Sequence, residues 1–242
     1  IRGTVSGLVG SGLTLEICPI RHRGAPPSPF PCITGLQIGT NGAFTLDSAI
    51  PESYSSGVVA LITQQPSLPW QQCRMSNAIF SNPSATDTGV TVSCTSFAYV
   101  TNAADNTLSA YSIDPNTGAL AIVGTPIVAG VSPYATAVLF FVPIYNINTF
   151  VFVGNEGSND VSAFVVDNET GALTAATGSP FPAGKDPKAM AIVGSSTGAN
   201  LYVANAGSDN VSAYAIDMNT GALTALPGSS VAVGTGPTSI VV

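Results

Sequence analysis

Residues 201–229, LYVANAGSDNVSAYAIDMNTGALTALPGS, decide the fold, because they are the third copy of a unit that runs through the second half of the chain. Tyr202-Val203-Ala204-Asn205 corresponds to Phe152-Val153-Gly154-Asn155 and to Tyr99-Val100-Thr101-Asn102. Ser212-Ala213-Tyr214 matches Ser162-Ala163-Phe164 and Ser109-Ala110-Tyr111, and Asp217 matches Asp167 and Asp114. Thr-Gly-Ala-Leu begins at Thr117, Thr170 and Thr220 with every residue kept. The same turn is marked three times, by Gly130 and Pro133, Gly184 and Pro187, and Gly234 and Pro237. Short apolar runs between turn residues, repeating at this length, are the signature of propeller blades.

These residues resemble the YVTN-type, lactonase-like β-propeller repeats of bacterial surface and secreted proteins. The resemblance covers about residues 97–242 and is strongest in the last two copies. It implies a propeller fold and a hydrolase that opens lactones. The opening Gly3-Thr4-Val5-Ser6-Gly7-Leu8, with the late pair Cys73 and Cys94, resembles the sandwich modules that precede such propellers.

The predicted fold class is all-β: an immunoglobulin-like β-sandwich over 1–96, then three propeller-type repeats at about 97–133, 134–186 and 187–242. Each full repeat divides into four strands; in the third they fall near Pro187–Val193, Leu201–Ala204, Val211–Ile216 and Ala222–Ala225. The first repeat shows only the last three strands, starting at Phe97. Its missing first strand is matched by Pro237-Thr238-Ser239-Ile240-Val241-Val242. Propellers hold about four to eight blades, so three leave an open strand edge. Two chains closing a six-bladed ring, chains linked head to tail in a filament, and a piece of a longer propeller are the three outcomes. The expectation drawn from this offset is a non-catalytic extracellular structural element that associates with itself by donating Pro237–Val242. A lactonase-like hydrolase is the alternative, and a module binding a glycan or a cell-surface protein is a third.

Residues 1–96 carry short alternating runs such as Leu13-Thr14-Leu15-Glu16-Ile17 and Thr91-Val92-Ser93-Cys94, about seven strands in all. Thr40-Asn41-Gly42 between two runs predicts a β-hairpin. No stretch has helical periodicity. The four cysteines, Cys18, Cys32, Cys73 and Cys94, match neither a metal nor a haem spacing. An even count in a chain of extracellular character predicts two disulfides, with three possible pairings, of which Cys18–Cys32 and Cys73–Cys94 are favoured. The Pro-dense loop between Cys18 and Cys32 holds Arg21, His22 and Arg23, and is either a basic contact finger or a solvated insertion. Trp70 either covers one end of the sandwich core or serves as a contact anchor.

Charged residues make up 8% of the chain and apolar ones 45%, against about 25% charged in an average protein. Six bases against 13 acids leave a net charge of −7. Beyond residue 97 the bases are Lys185 and Lys188 alone, so nucleic acid is excluded as a partner and phosphorylated substrates are disfavoured. No apolar run is long enough to cross a bilayer as a helix. The start at Ile1 without Met fits a mature product whose export signal has been removed, and the expected location is extracellular or at the cell surface.

Lactone hydrolysis needs a base, and a cation for the developing oxyanion. From residue 97 onward there is no His, Arg or Cys. Asp105, Asp160 and Asp209 recur in one turn, and Asp114, Asp167 and Asp217 in another. Asx residues in such turns bond their own backbone, so no catalytic, metal-ligating or cofactor-binding residue is assigned and no cofactor is expected. Glu156, Lys185, Asp186 and Lys188 break the repeat pattern; such residues mark a site where there is one, but ordinary drift of a polar surface is the favoured reading. Asn168-Glu169-Thr170 and Asn210-Val211-Ser212 fit the glycosylation pattern by chance.

Overall fold

The computed structural model describes residues 1–9, 11–19, 33–45, 58–64, 72–76, 79–80, 89–141, 148–195 and 198–242. Arg21, His22, Arg23, Cys32, Trp70 and the side chain of Cys18 lie outside the described residues, and with them the Cys18–Cys32 pairing and both contact-loop expectations. All described secondary structure is β-strand. The chain divides into two compact units, 1–96 with 113–120, and 97–112 with 121–242.

The first unit contains β1 (Arg2–Ser6), β2 (Leu13–Pro19), β3 (Ile33–Ile38), β4 (Gly42–Thr45), β5 (Val58–Gln64), β6 (Gln72–Ser76), β7 (Ile79–Phe80) and β8 (Val90–Thr95). They form two sheets, ordered β4-β1-β8-β6 and β3-β2-β5-β7. Alternate residues such as Val5, Leu13, Leu15, Val90 and Val92 are buried together in one apolar core between the sheets. This is a β-sandwich, as the alternation requires. Cys73 and Cys94 face each other on β6 and β8 and are joined by a disulfide. The hairpin expected at Asn41-Gly42 is not one. β3 and β4 belong to different sheets, and the turn carries the chain across the sandwich. Asn41 serves that corner through its side chain: Oδ1 accepts from Leu8 N at 2.7 Å and Nδ2 donates to Leu8 O at 3.0 Å.

The second unit holds the repeats. Its strands are β9 (Phe97–Asn102), β10 (Thr107–Ile113) and β11 (Leu120–Val128) in the first blade, the last two reaching into 113–120. β12 (Pro133–Phe141), β13 (Asn148–Asn155), β14 (Asp160–Val166), β15 (Leu173–Ala175) and β16 (Phe181–Pro182) form the second. β17 (Pro187–Ser195), β18 (Gly198–Asn205), β19 (Asn210–Ile216) and β20 (Leu223–Ala232) form the third. Each blade is an antiparallel meander, and the first has three strands, ordered β11-β10-β9. The fourth strand is longer than expected: β20 reaches Ala232 past a break in register, and the second blade splits the same length into β15 and β16, both paired with β14.

β13 shows why the blades stack. Phe150, Val151, Phe152 and Val153 are all fully buried. A strand alternates its side chains between two faces, so Phe150 and Phe152 enter a core with Leu201, Val203 and Tyr214 of the third blade. Val151 and Val153 enter another, with Leu108 of the first. A sheet covered on both faces needs apolar residues at every position, which is the run the sequence shows. Each such side chain contributes about 1.5–3 kcal/mol by burial.

The Thr-Gly-Ala-Leu turns fold as read. Asp217 Oδ1 accepts from Asn219 N at 2.9 Å and Thr220 N at 3.0 Å, and Asp167 and Asp114 do the same one and two turns earlier in the chain. These bonds favour the charged carboxylate and hold Asp114 and Asp217 below the ordinary aspartate range.

Candidate functional site

β12 begins opposite the end of β13, with Pro133 paired to Asn155, and β17 begins with Pro187 beside Gly154, just before the turn that joins β13 to β14. That turn presents Glu156, and β17 opens with Pro187-Lys188 directly after Asp186. Lys188 Nζ bonds Glu156 Oε1, lies 3.8 Å from Asp186 Oδ1, and sits 4.6 Å from the centre of the Tyr134 ring. Tyr134 opens β12 at the position Lys188 holds in β17, and its backbone carbonyl accepts from Thr101 Oγ1 at 3.3 Å. Glu156 and the two carboxylate and aromatic neighbours raise the Lys188 pKa, chiefly through the Glu156 hydrogen bond, so the ammonium stays charged. Side-chain exposures of 26% for Lys188 and 23% for Glu156 leave both reachable by a small molecule.

The backbone under this cluster is fixed from two sides. Asp186 has φ 60° and Asn159 also has φ 60°, a region in which non-glycine residues are held only by their surroundings. Asn159 Oδ1 accepts from Asp186 N at 2.9 Å, and Asp186 O accepts from Ala206 N at 2.9 Å. Three of the four repeat-breaking residues thus converge. Lys185 is exposed and makes no ion pair among the described residues.

The turn acids do not act as expected. Asp105 is exposed, Asp160 accepts from Asn155 Nδ2 at 2.7 Å and Ser158 Oγ at 3.0 Å, and Asp209 accepts from Gly236 N at 2.8 Å, 27 residues away. They occupy three different positions of the turn. Asp209 is the equivalent of Asn159 and Asn106, and the role belongs to that position. Among the described residues no three His, Cys, Asp or Glu cluster as metal ligands. Asn168 is buried, and Asn210 is bonded to Asn205 and Ser230, so neither offers a free glycosylation acceptor. Tyr134 and Asn159 were missed from sequence. Tyr134 had a signal: Pro133, Pro187 and Pro237 are followed by Tyr, Lys and Thr, a variable position in a constant setting.

Repeated antiparallel meanders stacked through shared apolar cores define a β-propeller protein. The chain belongs to the lactonase family of seven-bladed β-propellers, whose model matches residues 90–241. No protein among those of curated function matches the chain. It is similar to the crystal structure of a 6-phosphogluconolactonase candidate from Bacteroides fragilis NCTC 9343, with 20% identity and a TM-score of 0.47 over 59% of this chain and 37% of that one. It is similar also to a protein from Lactobacillus plantarum, with 21% identity and a TM-score of 0.46 over 59% and 40%. A third is the periplasmic gluconolactonase PpgL of Pseudomonas aeruginosa, with 18% identity and a TM-score of 0.43 over 74% and 49%. The chain spans about half or less of the length of each of these structures.

Family membership overturns two expectations, that the chain is a non-catalytic self-associating structural element and that it is not an enzyme. The lack of His and Arg weighed against chemistry in the sequence, where the convergence of Glu156, Asp186 and Lys188 was not visible. The segment Pro237–Val242, expected as an assembly strand, forms no strand and pairs with nothing in the sheets; Val241 and Val242 are exposed.

Proposed function

We propose that the chain is part of a lactone hydrolase and that Lys188 and Glu156 carry its chemistry. The observation that supports this reading is the convergence of Glu156, Asp186 and Tyr134 on one charged lysine in a chain of the lactonase family. An ammonium already oriented by its partners stabilises negative charge developing on the lactone carbonyl oxygen. A carboxylate beside it accepts a proton from the attacking water. Water adds to the carbonyl carbon, the ring C–O bond breaks, and the alkoxide leaves protonated as a hydroxy acid. Asp186 is the positioning partner that keeps Lys188 in place when Glu156 turns to the water.

The test is proton release from glucono-1,5-lactone by the full chain. Lys188→Met and Glu156→Gln each lower kcat/KM by about 100-fold, the size of a lost oxyanion donor or base. Unchanged rates in both variants overturn the assignment. We further place the protein outside the cytoplasm, on the support of the Cys73–Cys94 disulfide.

A further inference from the structure

The charge around Lys188 selects among lactones. Residues 97–242 carry nine acids and two lysines, with no arginine or histidine. At the cluster itself Lys188 faces two carboxylates, Glu156 and Asp186, so the group is net negative before any ligand arrives. The remaining base, Lys185, directly precedes Asp186 and is exposed. A phosphate ester brings about two negative charges at neutral pH and is held by arginines, lysines or backbone N–H groups that are free to turn to it. Here Asp186 N is already given to Asn159, and Lys188 to Glu156. A dianion would have to displace a carboxylate from Lys188 and leave that carboxylate unpaired. An uncharged ring needs only the spare donor of the ammonium for its carbonyl, and the open face of Tyr134, which is 58% exposed, lies alongside. We infer that this site takes an uncharged lactone and discriminates against its phosphorylated counterpart by charge. The inference rests on the hydrolase reading above for the reaction, and on the charges alone for the ligand class.

The experiment uses the full chain and two pairs of probes. Glucono-1,5-lactone and its 6-phosphate report turnover, and the corresponding glucono-lactam and its 6-phosphate, which do not hydrolyse, report binding by calorimetry. The expected result is at least about a tenfold preference for the uncharged member of each pair at low salt. Exposed charges are screened within about 10 Å at 0.1 M salt and about 3 Å at 1 M, so the preference shrinks as salt rises. A preference for the phosphorylated members, abolished by Lys185→Ala, overturns the inference and makes Lys185 a phosphate anchor, while leaving the hydrolase reading in place. No binding of either lactam overturns it as well. Tighter binding of the uncharged lactam without turnover of either lactone supports the ligand class and removes the hydrolase reading. A preference that ignores salt overturns the electrostatic cause.

Discussion

Asn159 Oδ1 accepts the backbone N–H of Asp186 at 2.9 Å, across 27 residues, and ties the turn between β13 and β14 to the entry of the next blade. The same tie joins Asn106 to Ser132 at 2.9 Å and Asp209 to Gly236 at 2.8 Å. In all three pairs both residues have positive φ. Each link therefore needs a residue that tolerates the left-handed region and carries a side-chain acceptor, which Asn and Asp supply.

Two substitutions separate these needs at Asn159. Asn159→Gly keeps the backbone conformation and loses the acceptor, so it costs about 1 kcal/mol of stability. Asn159→Ala loses both and costs about 1–2 kcal/mol more. Both free Asp186 N and loosen Lys188, so both lower lactone kcat/KM by about the same factor. Urea unfolding and proton release measured on the same samples check this. Equal stabilities for the two variants would remove the conformational part of the argument.

Gly221 and Gly118 make a second graded pair. Both have φ 73° in equivalent turns. A Cβ at Gly221 would lie 2.6 Å from Phe150 Cδ1 in the core between blades, whereas one at Gly118 would meet nothing within 4 Å. Gly118→Ala costs about 1 kcal/mol for the backbone alone. Gly221→Ala adds about 1–3 kcal/mol of overpacking against the fully buried Phe150. The shift in urea midpoint should be at least twofold larger for Gly221→Ala.

Much of this architecture was legible in the sequence because it is local. The Asp-x-x-Thr-Gly turns at Asp114, Asp167 and Asp217 are closed by bonds within three residues, so the repeat itself displays them. The continuous apolar run of β13 likewise announces a strand covered on both faces. What stayed hidden depends on long-range placement. Lys188 meets Glu156 and Tyr134 only because β12 and β17 start side by side, and nothing in a spacing of dozens of residues shows that. Asn41-Gly42 carries the local signature of a hairpin, and the tertiary bond to Leu8 decides otherwise.

The Asp114 and Asp217 turns predict an acid limit with a definite sign. Backbone N–H groups lower both pKa values from the ordinary 3.8. A depressed carboxylate stabilises the fold at pH values above its unfolded value, and that contribution is lost as pH falls through the lower folded value. The midpoint of thermal unfolding of the native chain should therefore drop on acidification below about pH 4. In Asp114→Asn/Asp217→Asn the drop is smaller, because the amide accepts the same bonds without titrating. Parallel acid curves for the two proteins would contradict this assignment.

Cys73 and Cys94 close a loop with a sequence separation of 21. By chain entropy such a crosslink contributes about 3 kcal/mol. Cys73→Ser/Cys94→Ser should destabilise the sandwich by at least that much, since both side chains are buried in its core. The two units make the effect local. The unfolding of the sandwich, followed by hydrogen exchange at Val90 and Val92, should accelerate, and exchange at Val151 and Val153 should stay unchanged.

The equivalent asparagines that end β9, β13 and β18 form a natural series in which burial and the acceptor change. Asn102 Nδ2 donates to Thr107 Oγ1 at 3.0 Å and Ser109 Oγ at 2.8 Å, and its side chain is only partly buried. Asn205 is fully buried and donates to Asn210 Oδ1 at 2.8 Å and Ser212 Oγ at 2.9 Å. Asn155 is equally buried and donates to the Asp160 carboxylate at 2.7 Å and Ser162 Oγ at 2.9 Å. Replacing a buried donor strands its acceptors, at about 1 kcal/mol for each neutral bond and about 1.5–3 kcal/mol where the acceptor is charged. Alanine should therefore cost least at Asn102, about 2 kcal/mol at Asn205, and about 3–4 kcal/mol at Asn155. Removing the charge at Asp160 as well, in Asn155→Ala/Asp160→Ala, should recover part of the Asn155 loss, because no carboxylate is then left without its donor. A double variant less stable than the sum of the two single changes would show that burial of Asn155, and not its bond to the carboxylate, holds that end of the blade.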